Sequence, residues 1–133
     1  MTRIESDTKE VKKSAAEVYA FLSDFNNFES LMPEQVVDWQ STPDECSFTI
    51  KGMATLGMKI IEKNPNNLIK ITSNGKVPFT FFLTCAIDET SADTSKVQLA
   101  FDAELNPMLK MMAVKPLTNF LNLLNGRLQQ IMS

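Results

Sequence analysis

The sequence predicts an α+β domain in which one antiparallel sheet packs on a long C-terminal helix. Apolar and polar residues alternate through most of residues 36–105, which is the period of half-buried strands. A helical apolar stripe follows over residues 107–132, and two short helical segments precede residue 33. With 133 residues, 44% of them hydrophobic, the chain is long enough for one core and too short for two. We therefore expect residues 1–133 to form a single domain.

The chain begins with a strand, predicted over residues 3–11, and a helix follows it. Ser14 and Glu17 have the spacing of a capping box, in which the hydroxyl and the carboxylate bond to free amide groups of the first helical turn. The apolar residues of this helix lie at helical spacing: Val18, Phe21 and Leu22. A second short helix, which ends before Pro33, completes the segment.

Turn signals divide residues 36–105 into six strands. They are Thr42-Pro-Asp-Glu, Gly52, Asn64-Pro-Asn-Asn, Ser73-Asn-Gly-Lys and residues 88–95. Together with the first strand they predict a seven-stranded antiparallel sheet. Asn74 and Gly75 indicate a tight turn, because both residue types tolerate a positive φ angle. In the last two strands one face is apolar, with Phe79, Phe81, Leu83, Phe101 and Leu105.

The C-terminal segment carries its apolar residues on one helical face, with Lys115 and Asn119 on the opposite face. Pro116 lies inside it. Proline lacks the amide hydrogen of a helical bond, and its ring collides with the preceding turn. We therefore expect a kinked helix whose N-terminal half stands away from the sheet.

The composition excludes several classes of function. The net charge is −3 and no basic run is longer than Lys12-Lys13, which argues against a nucleic-acid partner. The chain has no histidine, so it lacks the usual general base and the commonest transition-metal ligand. We expect no metal, no cofactor and no catalysis. Cys46 and Cys85 alternate with polar neighbours and are expected to be buried, inert, reduced thiols.

The N-terminal residues are charged where a signal peptide would be apolar, and no run of apolar residues approaches the length of a membrane span. These observations predict a cytoplasmic protein without an integral membrane segment.

The order of elements, together with Val18-Tyr-Ala-Phe-Leu-Ser-Asp-Phe-Asn-Asn-Phe-Glu-Ser-Leu-Met-Pro33, resembles the START-like superfamily, also called SRPBCC. The resemblance spans nearly the whole chain. It implies a helix-grip fold, in which a curved antiparallel sheet of about seven strands wraps around the C-terminal helix and encloses a cavity for an apolar ligand. Members of the superfamily include lipid and hormone carriers, polyketide cyclases, quinone-binding proteins and chaperone activators.

The resemblance also gives the apolar residues a place relative to that cavity. The cavity wall is expected to comprise Phe48, Ile50, Ile71, Phe79, Phe81, Leu83, Phe101, Leu105, Met112, Pro116 and Phe120. The cavity mouth is expected to comprise Met32, Met53, Met108 and Met111. Apolar walls are typical of small-molecule sites, and methionine side chains adapt to varied apolar ligands. The competing interpretation is that all these residues are ordinary core.

Three classes of function follow from these observations. The sequence favours binding, sequestration or transport of a small hydrophobic molecule such as a lipid, a quinone or a polyketide-like compound. The first alternative is a protein-interaction module of the chaperone-activator type, without a ligand. The second is a cyclase or hydrolase for a hydrophobic substrate, which would need a buried acid or base that no inward position evidently supplies.

Overall fold

The computed structural model describes residues 1–132, within which eight strands and three α-helices share one core. The strands are β1 (Thr2–Glu5), β2 (Lys9–Val11), β3 (Val36–Ser41), β4 (Glu45–Ile50), β5 (Ala54–Asn64), β6 (Leu68–Ser73), β7 (Phe81–Ser91) and β8 (Thr94–Ala103). The helices are α1 (Ala15–Leu22), α2 (Phe25–Phe28) and α3 (Pro107–Ile131), with a 3-10 helix at Glu29–Leu31. The predicted α+β class, with a curved antiparallel sheet and a long C-terminal helix, is confirmed.

The sheet is antiparallel throughout the described residues, in the order β1-β8-β7-β6-β5-β4-β3, and β2 pairs with β8 beside β1. Because neighbouring strands alternate in direction, β4, β6 and β8 all finish at the same end of the sheet. The helix α3 begins there, so we call it the α3 end. Its connecting segments are residues 33–35, 51–53, 74–80 and 104–106.

The predicted first strand is interrupted, so the seven expected strands appear as eight segments. The break covers residues 6–8, between β1 and β2. There the Ser6 hydroxyl accepts a hydrogen bond from the amide of Leu99 at 2.9 Å and donates one to the carbonyl of Asp7 at 2.9 Å. A side chain that bonds to nearby backbone in this way competes with the regular ladder.

The turn at Asn74 and Gly75 is also different from the prediction. Gly75 has the expected positive φ of 74°, but β7 begins only at Phe81. A loop over residues 74–80 therefore replaces the tight turn, and Phe79 lies in this loop rather than in a strand. At the other end of the sheet β7 and β8 extend to a turn at residues 92–93. At the α3 end, Leu105 lies beyond the end of β8 and is not part of a strand.

The two short helices are confirmed, and their caps explain where they begin. The Ser14 side chain accepts a hydrogen bond from the amide of Glu17 at 3.2 Å, as the capping box predicts. The Asp24 carboxylate accepts one from the amide of Asn26 at 2.8 Å and starts α2. Both helices bury apolar side chains in the core.

The long helix α3 continues through Pro116, and the expected kink there stays a prediction. Its buried face consists of Ala113, Leu117, Leu121, Leu124, Asn125 and Leu128. Ile131, the last residue of the helix, is apolar but 45% exposed, so it is not part of this face.

Asn125 is a buried polar residue in this otherwise apolar face. Its side-chain amide nitrogen donates hydrogen bonds of 2.9 Å to the carbonyls of Asp7 and Val97, and lies 3.4 Å from the Ser6 hydroxyl. One side chain therefore joins α3 both to β8 and to the break between β1 and β2. Asp7 lies in the break and outside the strands, where its carbonyl accepts the hydrogen bond from Asn125.

We predict that Asn125→Ala lowers the free energy of unfolding by about 1–3 kcal/mol, because it removes two hydrogen bonds of a buried amide and leaves the buried Val97 carbonyl without this donor. Urea denaturation measures this loss. Asn119→Ala is the matched control, since Asn119 is exposed on the same helix and the change in helix propensity is the same. An equal effect of both substitutions would show that the Asn125 bonds do not stabilise the fold.

Candidate ligand-binding cleft

A cleft of about 460 Å³ lies at the α3 end, between the sheet and the N-terminal half of α3. The turn between β4 and β5 and the loop over residues 74–80 form one side, and α3 forms the other. The lining residues are Gln35, Ile50, Lys51, Gly52, Met53, Ala54, Pro78, Phe79, Leu109, Met112, Ala113, Pro116, Leu117 and Phe120. The cleft lies between the apolar face of the sheet and the N-terminal half of α3.

Local sequence explains why these side chains converge. The α3 residues of the cleft recur every three or four positions from Leu109 to Phe120, so they share one helical face. Asn106 fixes the start of this helix, because its side chain accepts a hydrogen bond of 2.8 Å from the Leu109 amide. On the opposite side, Gly52 takes a φ of 77° and lets the chain reverse tightly beside Met53.

The space deeper between sheet and helix is closed. Below Ile50, Leu117 and Phe120 only about 20 Å³ remains, and its lining is entirely apolar. The rings of Phe81 and Phe101 stack there with their centroids 4.8 Å apart. This aromatic pair fills the interior that the resemblance led us to expect as a cavity.

The predicted wall residues therefore separate into three groups. Ile50, Phe79, Met112, Pro116 and Phe120 line the cleft. Phe48, Phe81, Leu83 and Phe101 line the small inner space instead. Ile71 and Leu105 line neither of them. Ile71 is completely buried between β5 and β7, while Leu105 lies beside Lys110 in a separate surface hollow, because β8 ends before it.

The predicted mouth residues are divided as well. Met53 lines the cleft and is 37% exposed. Met108 and Met111 are exposed at the same end but point away from the lining, since α3 presents its other face to the sheet. Met32 is buried and lines the inner space, because the 3-10 helix packs on α3 and turns this side chain inward.

Sequence reasoning missed eight of the lining residues: Gln35, Lys51, Gly52, Ala54, Pro78, Leu109, Ala113 and Leu117. For Lys51 a signal was present, since it precedes Gly52 in a predicted turn and a turn at the α3 end borders the cleft. Gln35 had no such signal, because its place depends on how the segment before β3 meets the turn after β4. The Lys51 amide donates a hydrogen bond of 2.8 Å to the Gln35 carbonyl and holds the two segments together.

Four further side chains that could have carried chemistry or a ligand contact lie outside the cleft: Asp102, Trp39, Cys46 and Cys85. Asp102 accepts a hydrogen bond of 2.8 Å from Arg3, and Trp39 stacks on Phe48 with ring centroids 5.2 Å apart. Burial raises the pKa of the Cys85 thiol to about 12. It raises the pKa of Cys46 to about 12 as well, against a hydrogen bond with the Met58 backbone that lowers it. A thiol with so high a pKa is not a nucleophile at neutral pH.

A family model described as polyketide cyclase / dehydrase and lipid transport matches residues 1–131. The chain belongs to this family. The predicted START-like, or SRPBCC, membership is thus confirmed, and binding of hydrophobic molecules is the general property that the family description supports. No curated protein sequence matches the chain. Within the described residues, no helix combines the length and the apolar character that crossing a membrane requires.

Solved structures share the family's fold at low sequence identity. A START superfamily protein from Mycobacterium smegmatis has a TM-score of 0.71 and 19% identity, covering 97% of this chain and 98% of its own. The protein XoxI from Bacillus cereus has a TM-score of 0.78 and 17% identity, with coverages of 99% and 96%. Norcoclaurine synthase from Thalictrum flavum, in complex with dopamine and hydroxybenzaldehyde, has a TM-score of 0.72 and 15% identity, with coverages of 98% and 85%.

The buried thiols lead to a prediction about alkaline pH. Their pKa is raised from 9.0 to about 12 in the folded protein, so the unfolded chain loses these protons first as the pH rises. Their contribution to stability is complete below pH 9.0 and is lost towards pH 12. The free energy of unfolding is measured in urea at several pH values. Above pH 9.0 we expect it to fall more steeply in the wild type than in a Cys46→Ala/Cys85→Ala variant. Parallel pH profiles would contradict this assignment.

Proposed function

We propose that this protein binds a small hydrophobic molecule, such as a lipid, a quinone or a polyketide-like compound, and sequesters or transports it. The observation that carries the proposal is the cleft at the α3 end, which is open to solvent and has mostly apolar walls. Its volume of about 460 Å³ is within the usual range for small-molecule sites.

Burial of apolar ligand surface supplies the binding energy, at about 25 cal/mol per Å² removed from water. Phe79, Phe120 and Pro116 offer flat, rigid surfaces for this contact, while Met53 and Met112 at the rim adapt to the shape of the guest. The inner aromatic residues support the floor of the cleft rather than contact the ligand. In this proposal the ligand lies near the surface and exchanges through the open side.

Binding is favoured over turnover because of the ionisable groups available. Among the described residues, Lys51 is the only ionisable side chain that lines the cleft. A cyclase or hydrolase would need an acid or base that touches the substrate, commonly with a shifted pKa. The family description includes cyclases, so turnover of a hydrophobic substrate is the activity to be excluded by assay.

A second candidate function is a protein-interaction module, and the exposed methionines favour it. Met1, Met108, Met111 and Met112 are each at least 66% exposed, and all lie at the α3 end. Flexible apolar side chains at such exposure are typical of surfaces that contact a partner. A Met108→Gln/Met111→Gln variant tests this function, because it changes the surface without changing the cleft lining. Loss of a specific co-purifying partner, with small-molecule binding intact, would support the module.

The proposed ligand site is tested by Met112→Gln, which places a polar group of similar length on the cleft wall. We expect it to weaken binding of the neutral apolar dye Nile red several-fold, with little change in melting temperature, because Met112 is 69% exposed. Met111→Gln is the matched control, since Met111 is adjacent but lies outside the lining. Dye fluorescence and thermal unfolding are measured on the same samples.

Phe81→Ala serves as the core control. This ring is completely buried, so its removal should lower stability by about 3–5 kcal/mol and affect dye binding only through unfolding. If Met112→Gln leaves dye affinity unchanged, or if Met111→Gln weakens it equally, the dye does not bind in the cleft. Native mass spectrometry of the protein purified from its own host then identifies any natural ligand by its mass.

A further inference from the structure

The cleft carries a single charge, and that charge sits at its rim. Within the described residues, Lys51 is the only lining residue with a charged side chain, and Gln35 is the only lining residue with a polar, uncharged side chain. The two are adjacent, because the Lys51 amide bonds to the Gln35 carbonyl at 2.8 Å. The cleft therefore has a polar corner and an apolar remainder.

The ammonium group of Lys51 has no carboxylate partner. The salt bridges within residues 1–132 are made by Arg3 and Lys63, and Lys51 takes part in none of them. The residue is exposed at the turn between β4 and β5, so its charge faces water and is free to meet a ligand. Lys51 is one of the lining residues, and a lysine side chain can rest its aliphatic stem on apolar surface while its ammonium group stays in water.

The surroundings of the cleft are basic although the chain as a whole is acidic. The segments at the α3 end and the first half of α3 carry Lys51, Lys76, Lys110 and Lys115 against Glu34 and Glu104, in a chain of net charge −3. No aspartate or glutamate occurs in α3 at all. The local field therefore favours an anion at this end of the molecule.

From these observations we propose that the ligand is an amphipathic monoanion, such as a single-chain carboxylate. Its apolar part lies against Phe79, Pro116 and Phe120, and its carboxylate meets the Lys51 ammonium at the rim, where the Gln35 amide can donate a hydrogen bond. This inference rests on the proposed function and specifies the class of ligand.

A monoanion is favoured over a dianion because the lining offers one cation, and a second negative charge would have no partner in the cleft. The position at the rim keeps the head group hydrated, so the pair avoids the large desolvation cost of a buried ion pair. The charge thus selects among apolar ligands, while the apolar walls supply most of the affinity.

The test uses three ligands with the same eight-carbon chain: octanoate, octanol and octyltrimethylammonium. Each ligand is titrated into the wild-type protein with Nile red bound, and displacement of the dye is measured. The titrations are made at pH 8 and low salt, so that the carboxylate of octanoate is ionised. We expect octanoate to bind about fivefold more tightly than octanol, as for an exposed ion pair, and the cation to bind most weakly. Raising the salt concentration should reduce the advantage of octanoate, because exposed charges are screened.

The Lys51→Gln variant should lose the advantage of octanoate over octanol, because the substitution removes the only cation of the described cleft lining. Lys51→Glu should reverse the order, so that the cation binds better than the anion. Lys59→Gln is the matched control, since Lys59 is exposed on β5 but does not line the cleft, and it should behave as the wild type. Melting temperatures confirm that each variant is folded.

The outcomes separate this inference from the proposed function. If octanol and octanoate bind equally to the wild type, or if Lys51→Gln weakens both equally, the ligand class is wrong and the cleft still binds apolar molecules. If neither displaces Nile red, or the dye does not bind, the proposed function fails and the ligand class with it. If Lys59→Gln changes the preference for octanoate over octanol as much as Lys51→Gln does, the change is caused by the net charge of the protein. The assignment of the preference to Lys51 is then overturned.

Discussion

A row of buried leucines on α3 packs against the sheet and holds the two layers together. Each keeps no more than 2% of its surface exposed: Leu117, Leu121, Leu124 and Leu128. Burying each of these side chains contributes about 1.5–3 kcal/mol. Asn125 lies in the same row and adds direction to this contact, because its amide bonds to carbonyls at fixed positions along β8 and beside β1. The apolar contact supplies stability, and the amide determines the register of the helix on the sheet.

The cleft exists because this contact is confined to one part of α3. Towards its N-terminus the helix buries only Ala113 before Leu117, and Met108, Met111 and Met112 remain exposed. A small residue at position 113 and a proline at 116 leave space where larger side chains would meet the sheet. The part of α3 that borders the cleft is thus largely distinct from the part that holds the helix on the sheet, and Leu117 belongs to both.

The same fold serves different chemistry in its structural relatives, one of which is a synthase. At 15% identity only the backbone arrangement is shared, and function depends on the side chains that each chain places in its cleft. Here those side chains are apolar apart from one lysine and one glutamine. The buried thiols, which are the other groups of potential reactivity, are held neutral by desolvation and lie away from the cleft.

Local sequence patterns by themselves determined the α+β class, the two short helices with the cap of the first, most of the turns and the apolar face of α3, because these depend on neighbours within a few residues. The resemblance to the START-like superfamily, rather than periodicity, placed Ile50, Phe79, Met112, Pro116 and Phe120 near a common space. Tertiary structure alone decided which apolar side chains fill the interior and which line the cleft, since periodicity gives a residue's face but not the distance to the opposite layer. For the same reason, four features emerged only from packing between distant segments. They are the stacking of Phe81 on Phe101, the inward turn of Met32, the hydrogen bonds of Asn125 and the position of Lys51 at the rim.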